Sequence, residues 1–326
     1  MRRRDFIAGI GGAAALPLAA RAQQRAERVR RIGALIYYDA DGPGFQSVMA
    51  ALRDELRSLG WIEGRNLHLD VRYGVDDAQL RSAAEELVRL APDAIFVLAT
   101  PAMTAISNAT RTIPTIFYAG EAQAIPFAGN VPRPTTNMTG FVVNVSSLGG
   151  KWLQLLKDAV PRLRRVAIVS NIDAEGSTDY LPTAQTAAAV YGVPAIPLVV
   201  PRDPVHIEAA FAAFASQGDA GLLILPPVSV SWAVFSDAAR RYNLPAIAFT
   251  RLFPAAGGLM SYGGQSREGY RVVASYLDRI LRGANPSDLP VQFATRFELV
   301  VNRKTAQAIG LQIPDNFIAL TDEVID

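Results

Sequence analysis

The sequence predicts an α/β fold made of two doubly wound parallel-sheet lobes. From Val29 onward, short β-rich apolar runs alternate with amphipathic helical segments. A helix after each strand returns the chain to the same end of the sheet, so the strands run parallel. Residues 121–147, which contain three prolines, divide this alternation into two series. At 326 residues the chain is also long for one hydrophobic core, which favours two lobes.

The first series contains four predicted strands. RIGALIYY, residues 31–38, reads as a buried strand, and LHLDVRY, residues 67–73, alternates apolar and polar as a half-exposed strand does. Residues 44–59 repeat apolar side chains at helical spacing. The other predicted segments are helix 80–90, strand 93–99, helix 101–109 and strand 113–118. We predict a loop over 121–147 that leads into a crossing near Thr139–Asn144.

The second series repeats the pattern. It begins with a helix over 148–159, and its predicted strands are 165–170, 195–200, 220–225, 245–249 and 258–262. Helices 183–191, 204–216 and 229–242 lie between them, and helix 267–282, strand 297–301 and helix 305–309 follow. We predict residues 29–141 plus 264–290 as lobe 1 and residues 142–263 plus 291–326 as lobe 2. A chain that passes more than once between its lobes predicts a hinged cleft.

The first 22 residues predict an export signal. Residues 7–20 are apolar but contain Pro17, and they are fewer than the roughly 20 residues that a membrane-spanning helix needs. Arginines precede this run, and Ala20-Arg21-Ala22 matches a small-x-small cleavage site. Arg3-Arg4-Asp5-Phe6-Ile7 resembles the twin-arginine signal, which exports folded proteins. We expect a periplasmic protein cleaved near Ala22.

Composition excludes several classes of function. The net charge of the whole chain is +2, and the first 22 residues contribute +3, so the rest of the chain is close to neutral at about −1. No nucleic-acid partner is therefore expected. The chain has no cysteine, which rules out disulfides, thiolate metal sites and cysteine nucleophiles. Its two histidines, His68 and His206, lie far apart, and no P-loop, G-x-S-x-G or H-E-x-x-H motif occurs. The sequence therefore predicts no enzyme, no cofactor and no metal.

A ligand site is expected where strands end. Open parallel sheets bind ligands at the carboxyl ends of their strands, beside helix N-termini. Thr100 before Pro101 is typical of a helix N-cap that holds a carboxylate, while tyrosines at strand ends could form an aromatic wall. An arginine there could bind a carboxylate and a glutamate an amine. The candidate ligand-binding residues are Tyr38, Asp39, Thr100, Tyr118, Glu121, Asn171, Pro226 and Arg251.

Five of these candidates also have a purely structural interpretation. Thr100 could cap only its own helix, and the tyrosines could complete the core at the strand ends. Arg251 and Glu121 could be solvated loop residues. Residue types alone leave both interpretations open.

Several stretches together resemble a known family. They are GFQSVMAALRDELRSLGWIEGRNLHLDVRYG (44–74), AAEELVRLAPDAIFVLATPA (83–102), GKWLQLLKDAVPRLRRVAIVSN (150–171), LPAIAFTRLFPAAGGLMSYG (244–263) and YLDRILRGANPSDLPVQFATRFELVVNRKTAQAIGLQIP (276–314). Over nearly all of residues 30–326 the chain resembles the ABC transporter substrate-binding proteins of the tryptophan- and tyrosine-binding group, which have the type I periplasmic binding protein fold. The resemblance implies capture of a small solute, with an aromatic amino acid or a related carboxylate as the expected ligand. It also implies a membrane permease as partner, and we expect a monomer.

The sequence departs from that family at two places. Glu121-Ala122-Gln123-Ala124 stands where relatives commonly read GDPV, and Arg133-Pro134-Thr135-Thr136-Asn137 stands where they often read RPGGN. The first departure lies at the predicted cleft, so a different ligand is possible. Two alternative functions remain at this point: a periplasmic α/β hydrolase, and the ligand-sensing lobe of a signalling system.

Overall fold

The protein is represented by a computed structural model, and the structure is described for residues 28–38, 43–171, 177–228 and 230–326. The predicted export signal and the candidate residue Asp39 lie outside these described residues.

Sheet A has six parallel strands in the order β11-β5-β4-β3-β1-β2. They are β1 (Arg30–Ile36), β2 (Leu67–Tyr73), β3 (Ala94–Leu98), β4 (Thr115–Gly120), β5 (Met138–Asn144) and β11 (Gln292–Phe293). Its helices are α1 (Pro43–Ser58), α2 (Asp77–Arg89), α3 (Thr100–Ala109), α4 (Glu121–Ala128) and α10 (Ser266–Leu281). Helices α1 and α10 share one core cluster with the sheet, and α2, α3 and α4 share another. Both faces are covered, as a doubly wound sheet requires.

Sheet B has seven strands in the order β13-β12-β10-β9-β8-β6-β7. They are β6 (Arg165–Asn171), β7 (Ala195–Val200), β8 (Ala220–Ile224), β9 (Ala246–Ala248), β10 (Met260–Gly264), β12 (Phe297–Asn302) and β13 (Glu323–Ile325). Only the pair of β10 with β12 is antiparallel among these described strands. Its helices are α5 (Leu148–Ala159), α6 (Leu181–Tyr191), α7 (Pro204–Ala215), α8 (Trp232–Arg241), α9 (Leu252–Ala255), α11 (Arg303–Ala308) and α12 (Asp315–Ile318). The predicted α/β class with two parallel-dominated sheets is therefore confirmed.

Local sequence explains where individual elements begin and how closely they pack. Asp76 accepts a hydrogen bond from the Gln79 backbone N–H at 2.8 Å, so a side-chain cap starts α2. Apolar residues on one face of α1, among them Met49 and Leu52, are almost completely buried against sheet A. In β5, a Cβ on Gly140 would lie 2.1 Å from the Phe117 carbonyl oxygen of β4. Only glycine permits this approach.

Residues 121–147 are more ordered than the sequence predicts. Instead of a loop, they contain α4 and the whole of β5, which is an interior strand of sheet A. The misleading signal is Pro126, which lies inside the eight-residue α4 although proline removes a helix hydrogen-bond donor. Gly129, at φ 74°, then ends the helix.

The chain passes between the two sheets three times within the described residues: after Asn144, after Gly264 and after Phe293. These crossings meet at Gly264, where a Cβ would lie 2.7 Å from the Val143 carbonyl oxygen and 3.0 Å from the Ala294 Cβ. The predicted boundary between residues 141 and 142 falls inside β5, which pairs along its length with β4. Strand β11 likewise pairs with β5 in sheet A, although it falls within the segment predicted for lobe 2.

Candidate functional site

The carboxyl ends of both sheets face a shared cavity of about 110 Å³. Most of the residues that line it end or follow strands β1, β3, β4, β5, β8 and β9. The others lie on helices α1, α9 and α10, on the 3₁₀ helix Ser177–Tyr180 or at the crossing after β10. A concave space of this kind, lined by aromatic side chains and a few polar groups, is typical of a small-molecule site. The described lining residues are Tyr37, Tyr38, Val48, Leu98, Ala99, Thr100, Tyr118, Ala119, Gly120, Val143, Asn144, Asp179, Tyr180, Pro226, Pro227, Val228, Phe249, Thr250, Leu252, Gly264, Ser266 and Tyr270.

Stacked aromatic rings form the lobe 1 wall of the cavity. The rings of Tyr118 and Tyr270 lie nearly parallel, with centroids 5.1 Å apart, and Phe141 stacks behind Tyr118 at 5.8 Å. Burial raises the pKa of both tyrosine hydroxyls well above the ordinary value. The hydroxyls are therefore neutral at pH 7, and the wall is suited to a flat apolar group.

Tyr38 lies at the point where the two lobes meet over the cavity. Tyr38 is half-buried and lines the cavity, and burial of its hydroxyl raises its pKa to about 12. The Trp232 indole N–H of lobe 2 opposes this rise. Trp232 Nε1 is nevertheless buried without a hydrogen-bond partner among the described residues. The indole N–H is therefore near the Tyr38 hydroxyl but does not form a hydrogen bond with it.

The N-terminus of α3 supplies hydrogen-bond donors. Thr100 is buried and lines the cavity, and the first-turn amides of a helix have no partner within it. The sequence predicts Thr100 as the N-cap, but Ala99 holds that position and no side chain caps the helix. Ala99 has φ 71° and ψ 160°, a backbone region that glycine alone occupies readily. Ala99 and Thr100 both line the cavity, so the helix start lies where it can receive an anionic group.

Two side chains supply hydrogen-bond acceptors. Asn144 is 2% exposed, lines the cavity and has a buried Oδ1 without a hydrogen-bond partner among the described residues. Asp179 is the one charged side chain among the described lining residues. An unpaired buried acceptor costs free energy until a donor reaches it, so a ligand with an N–H or O–H group fits here.

The structure brings four of the predicted residues to the cavity: Tyr38, Thr100, Tyr118 and Pro226. Their common feature is a position directly after a buried parallel strand, or at its last residues, as the strand-end rule requires. Asp39 falls outside the described residues.

Three predicted residues lie elsewhere among the described side chains. The Glu121 carboxylate accepts hydrogen bonds from the Ser146 backbone N–H and hydroxyl, at 3.0 and 3.1 Å, and so ties α4 to the first crossing. The Arg251 guanidinium donates to both carboxylate oxygens of Glu323, at 2.9 and 2.7 Å, which turns it away from the lining. Asn171 is 4% exposed, and its two amide atoms are buried without a partner among the described residues.

Sequence reasoning missed Asn144, Tyr180, Phe249 and Tyr270. Asn144 ends β5, so the strand-end rule would have selected it had β5 been recognised as a strand. Phe249 follows β9, but the sequence predicts it as the last residue of the apolar strand 245–249, and nothing local marks it as a ligand contact. Tyr180 lies in a 3₁₀ helix, residues Ser177–Tyr180, and Tyr270 on a helix face. No strand-end signal marks either tyrosine.

The described part of the chain offers neither a metal site nor a membrane-spanning helix. No group of three or more histidine, cysteine or acidic side chains there could hold a metal ion. No described helix is both long enough and apolar enough to cross a membrane.

Comparison with known proteins supports a binding role. A family model described as "ABC transporter substrate binding protein" matches residues 36–325. The tyrosine-binding protein of Clostridioides difficile (strain R20291) is 22% identical over 263 residues, 79% of this chain and 74% of that protein.

Solved structures share the fold. A conserved domain protein from Vibrio cholerae has a TM-score of 0.82 at 23% identity, over 91% of this chain and 100% of that one. An ABC domain from Streptococcus pneumonia in complex with L-Trp has a TM-score of 0.80 at 19% identity, over 91% and 99% of the two chains. A ligand-free, open substrate binding protein from Clostridium difficile has a TM-score of 0.64 at 21% identity, over 91% and 99%.

The chain belongs to the ABC transporter substrate binding protein family, because the family model spans most of its length. Such proteins bind small solutes outside the cytoplasm and work with membrane permeases. They are substrate-binding proteins and not enzymes, which confirms the predicted class and leaves the hydrolase alternative without support.

Proposed function

We propose that this protein captures an aromatic amino acid, or a closely related carboxylate, between its lobes and delivers it to an ABC permease. The observation that carries the proposal is the composition of the cavity. A stacked tyrosine wall, an uncapped helix N-terminus at Thr100 and the acceptor Oδ1 of Asn144 share one space. Closure of the lobes around the ligand then favours the closed state by the binding free energy.

The polar groups match the two ends of an amino acid. A carboxylate is favoured by the free amides and the positive end of the α3 dipole. An ammonium group is favoured by Asn144 Oδ1 and by the Asp179 carboxylate. No arginine or lysine occurs among the described lining residues, so the helix end is the anion-binding feature that this part of the chain offers. The tyrosine-binding relative and the L-Trp complex support this ligand class.

A thermal-shift screen of the mature protein tests the proposal. A ligand at 100 times its dissociation constant adds roughly 2.7 kcal/mol to the free energy of unfolding, which is easily measured. We expect tryptophan, tyrosine or phenylalanine to raise the melting temperature and sugars to leave it unchanged. Stabilisation by a sugar, with none by any aromatic acid, would contradict the proposed ligand class.

Asn144→Ala tests the ammonium contact. The variant should bind an aromatic amino acid about tenfold more weakly, because the ammonium group of the ligand loses the acceptor Asn144 Oδ1. Binding of the matching 3-arylpropanoate, which lacks the amine, should change little. Asn316→Ala, on the exposed surface of α12, is the matched control. Equal losses for both ligands would remove Asn144 from the amine site. Calorimetric titration gives both affinities.

The proposal also includes the export route, the cleavage site and the oligomeric state. We expect export by the twin-arginine route, cleavage near Ala22 and a monomeric periplasmic protein. Replacing Arg3 and Arg4 together by lysine should retain the precursor in the cytoplasm. Mass spectrometry of the exported protein locates the cleavage site, and light scattering gives its mass. Normal export of the double variant would exclude the twin-arginine route.

A further inference from the structure

Arg202 joins the two lobes at a distance from the crossings. It follows β7 in lobe 2, while Tyr37 follows β1 in lobe 1. The Arg202 Nη2 donates a hydrogen bond to the Tyr37 hydroxyl at 3.0 Å, and the guanidinium carbon lies 5.8 Å from the centroid of the Tyr37 ring. Tyr37 is 1% exposed. The contact therefore combines a charge-assisted hydrogen bond with a cation–π approach.

The strand orders place this contact far from the hinge. The crossings leave β5, β10 and β11, whereas β1 is three strands from β5 in sheet A and β7 is four strands from β10 in sheet B. At about 4.8 Å per strand, the contact lies roughly 14–19 Å from the crossings. A rotation of about 10° would then separate the partners by some 2–3 Å, which is enough to break a hydrogen bond. The contact therefore requires the two lobes to lie as close together as they do in this structure.

We propose that Arg202 is a closure latch, a positioning residue that raises the closed population by holding Tyr37 across the cleft. Tyr37 lines the cavity, but Arg202 is not among the lining residues, so the latch acts without touching the ligand. A ligand that binds the closed state gains apparent affinity in proportion to the closed fraction. The latch rests on two-lobed solute binding and not on the identity of the solute.

A ligand-independent distance measurement tests the latch. Because the chain has no cysteine, Ser82→Cys on α2 and Ala213→Cys on α7 provide two unique labelling positions, both exposed and on different lobes. Spin labels at these positions report the open and closed populations of the ligand-free protein by pulsed electron paramagnetic resonance. Circular dichroism melting verifies that each variant is folded.

The expected result is a coupled shift. Arg202→Met and Tyr37→Phe should each lower the ratio of closed to open protein about tenfold, and the double variant should lower it no further. Arg240→Met is the matched control, since Arg240 pairs with Asp237 on its own helix. Identical distance distributions in all proteins, or additive shifts in the double variant, would overturn the latch. A ligand screen without a hit leaves these distances unaffected, so the two proposals fail separately.

Discussion

At the scale of single residues, the backbone conformation of Ala99 shows how the start of α3 is fixed at the cavity. A non-glycine residue at φ 71° and ψ 160° is strained, and this arrangement costs of order 1–3 kcal/mol. Ala99 is tied on both sides, since its N–H donates to the Tyr118 carbonyl and its own carbonyl accepts from the Met103 N–H. The neighbouring strand and the first turn of α3 therefore hold the strained conformation in place.

Ala99→Gly should stabilise the fold by about 1 kcal/mol. The substitution removes the strain, and the greater freedom of glycine in the unfolded chain offsets only part of the gain. Urea unfolding of the ligand-free protein measures the difference. Ala109→Gly, at the other end of α3, is the control and should destabilise by about 0.5–1 kcal/mol. Equal destabilisation by both variants would show that Ala99 is not strained.

At the scale of elements, the approach of β5 to β4 depends on one missing side chain. Gly140→Ala would place a Cβ 2.1 Å from the Phe117 carbonyl oxygen, and backbone cannot move aside as a side chain can. We expect a loss of about 3 kcal/mol in the free energy of unfolding. Gly192→Asn, at φ 62° with open space around it, should cost much less. Denaturant titration compares them, and similar losses would contradict the role of Gly140.

Elements with strong periodicity were predictable, and the exception is instructive. The apolar run of β1 and the spacing of α1 identify these elements to within a few residues. Helix α4 contains Pro126, and local sequence therefore favours a loop. Tertiary packing overrides that preference, since Ala124 and Ala128 of α4 are fully buried against sheet A. Missing this helix also hid β5, and with it Asn144.

At the scale of the whole molecule, the hinge is narrow because the three segments that cross between the lobes meet at Gly264. In Gly264→Ala the new Cβ would press on the Val143 carbonyl oxygen and the Ala294 Cβ, at 2.7 and 3.0 Å. We expect the crossings to separate slightly and the ligand-free protein to open, with a larger radius of gyration in small-angle X-ray scattering. Gly150→Ala meets only lobe 2 atoms, the nearest at 3.2 Å, and should leave the radius unchanged. An unchanged radius in both variants would remove Gly264 from the hinge.

The candidate site was predictable only as far as strand ends are predictable. Tyr38, Thr100, Tyr118 and Pro226 follow from one rule about parallel sheets. Arg251 also follows a strand end, but its side chain pairs with Glu323, which is 72 residues away in the sequence. No local sequence pattern predicts that ion pair. Contacts between the lobes, such as that of Tyr37 with Arg202, depend on closure as well as on folding.

The strand orders also have a consequence for biosynthesis. Strand β11 completes the edge of sheet A, and β12 and β13 complete the edge of sheet B, so residues 292–325 supply strands to both lobes. Neither sheet can be finished while this segment is still in the ribosome, so neither lobe can complete its fold before residues 292–325 have been made. Removing residues 292–326 would take strands from both lobes at once, and would leave two incomplete sheets where a simple two-domain chain would keep one intact.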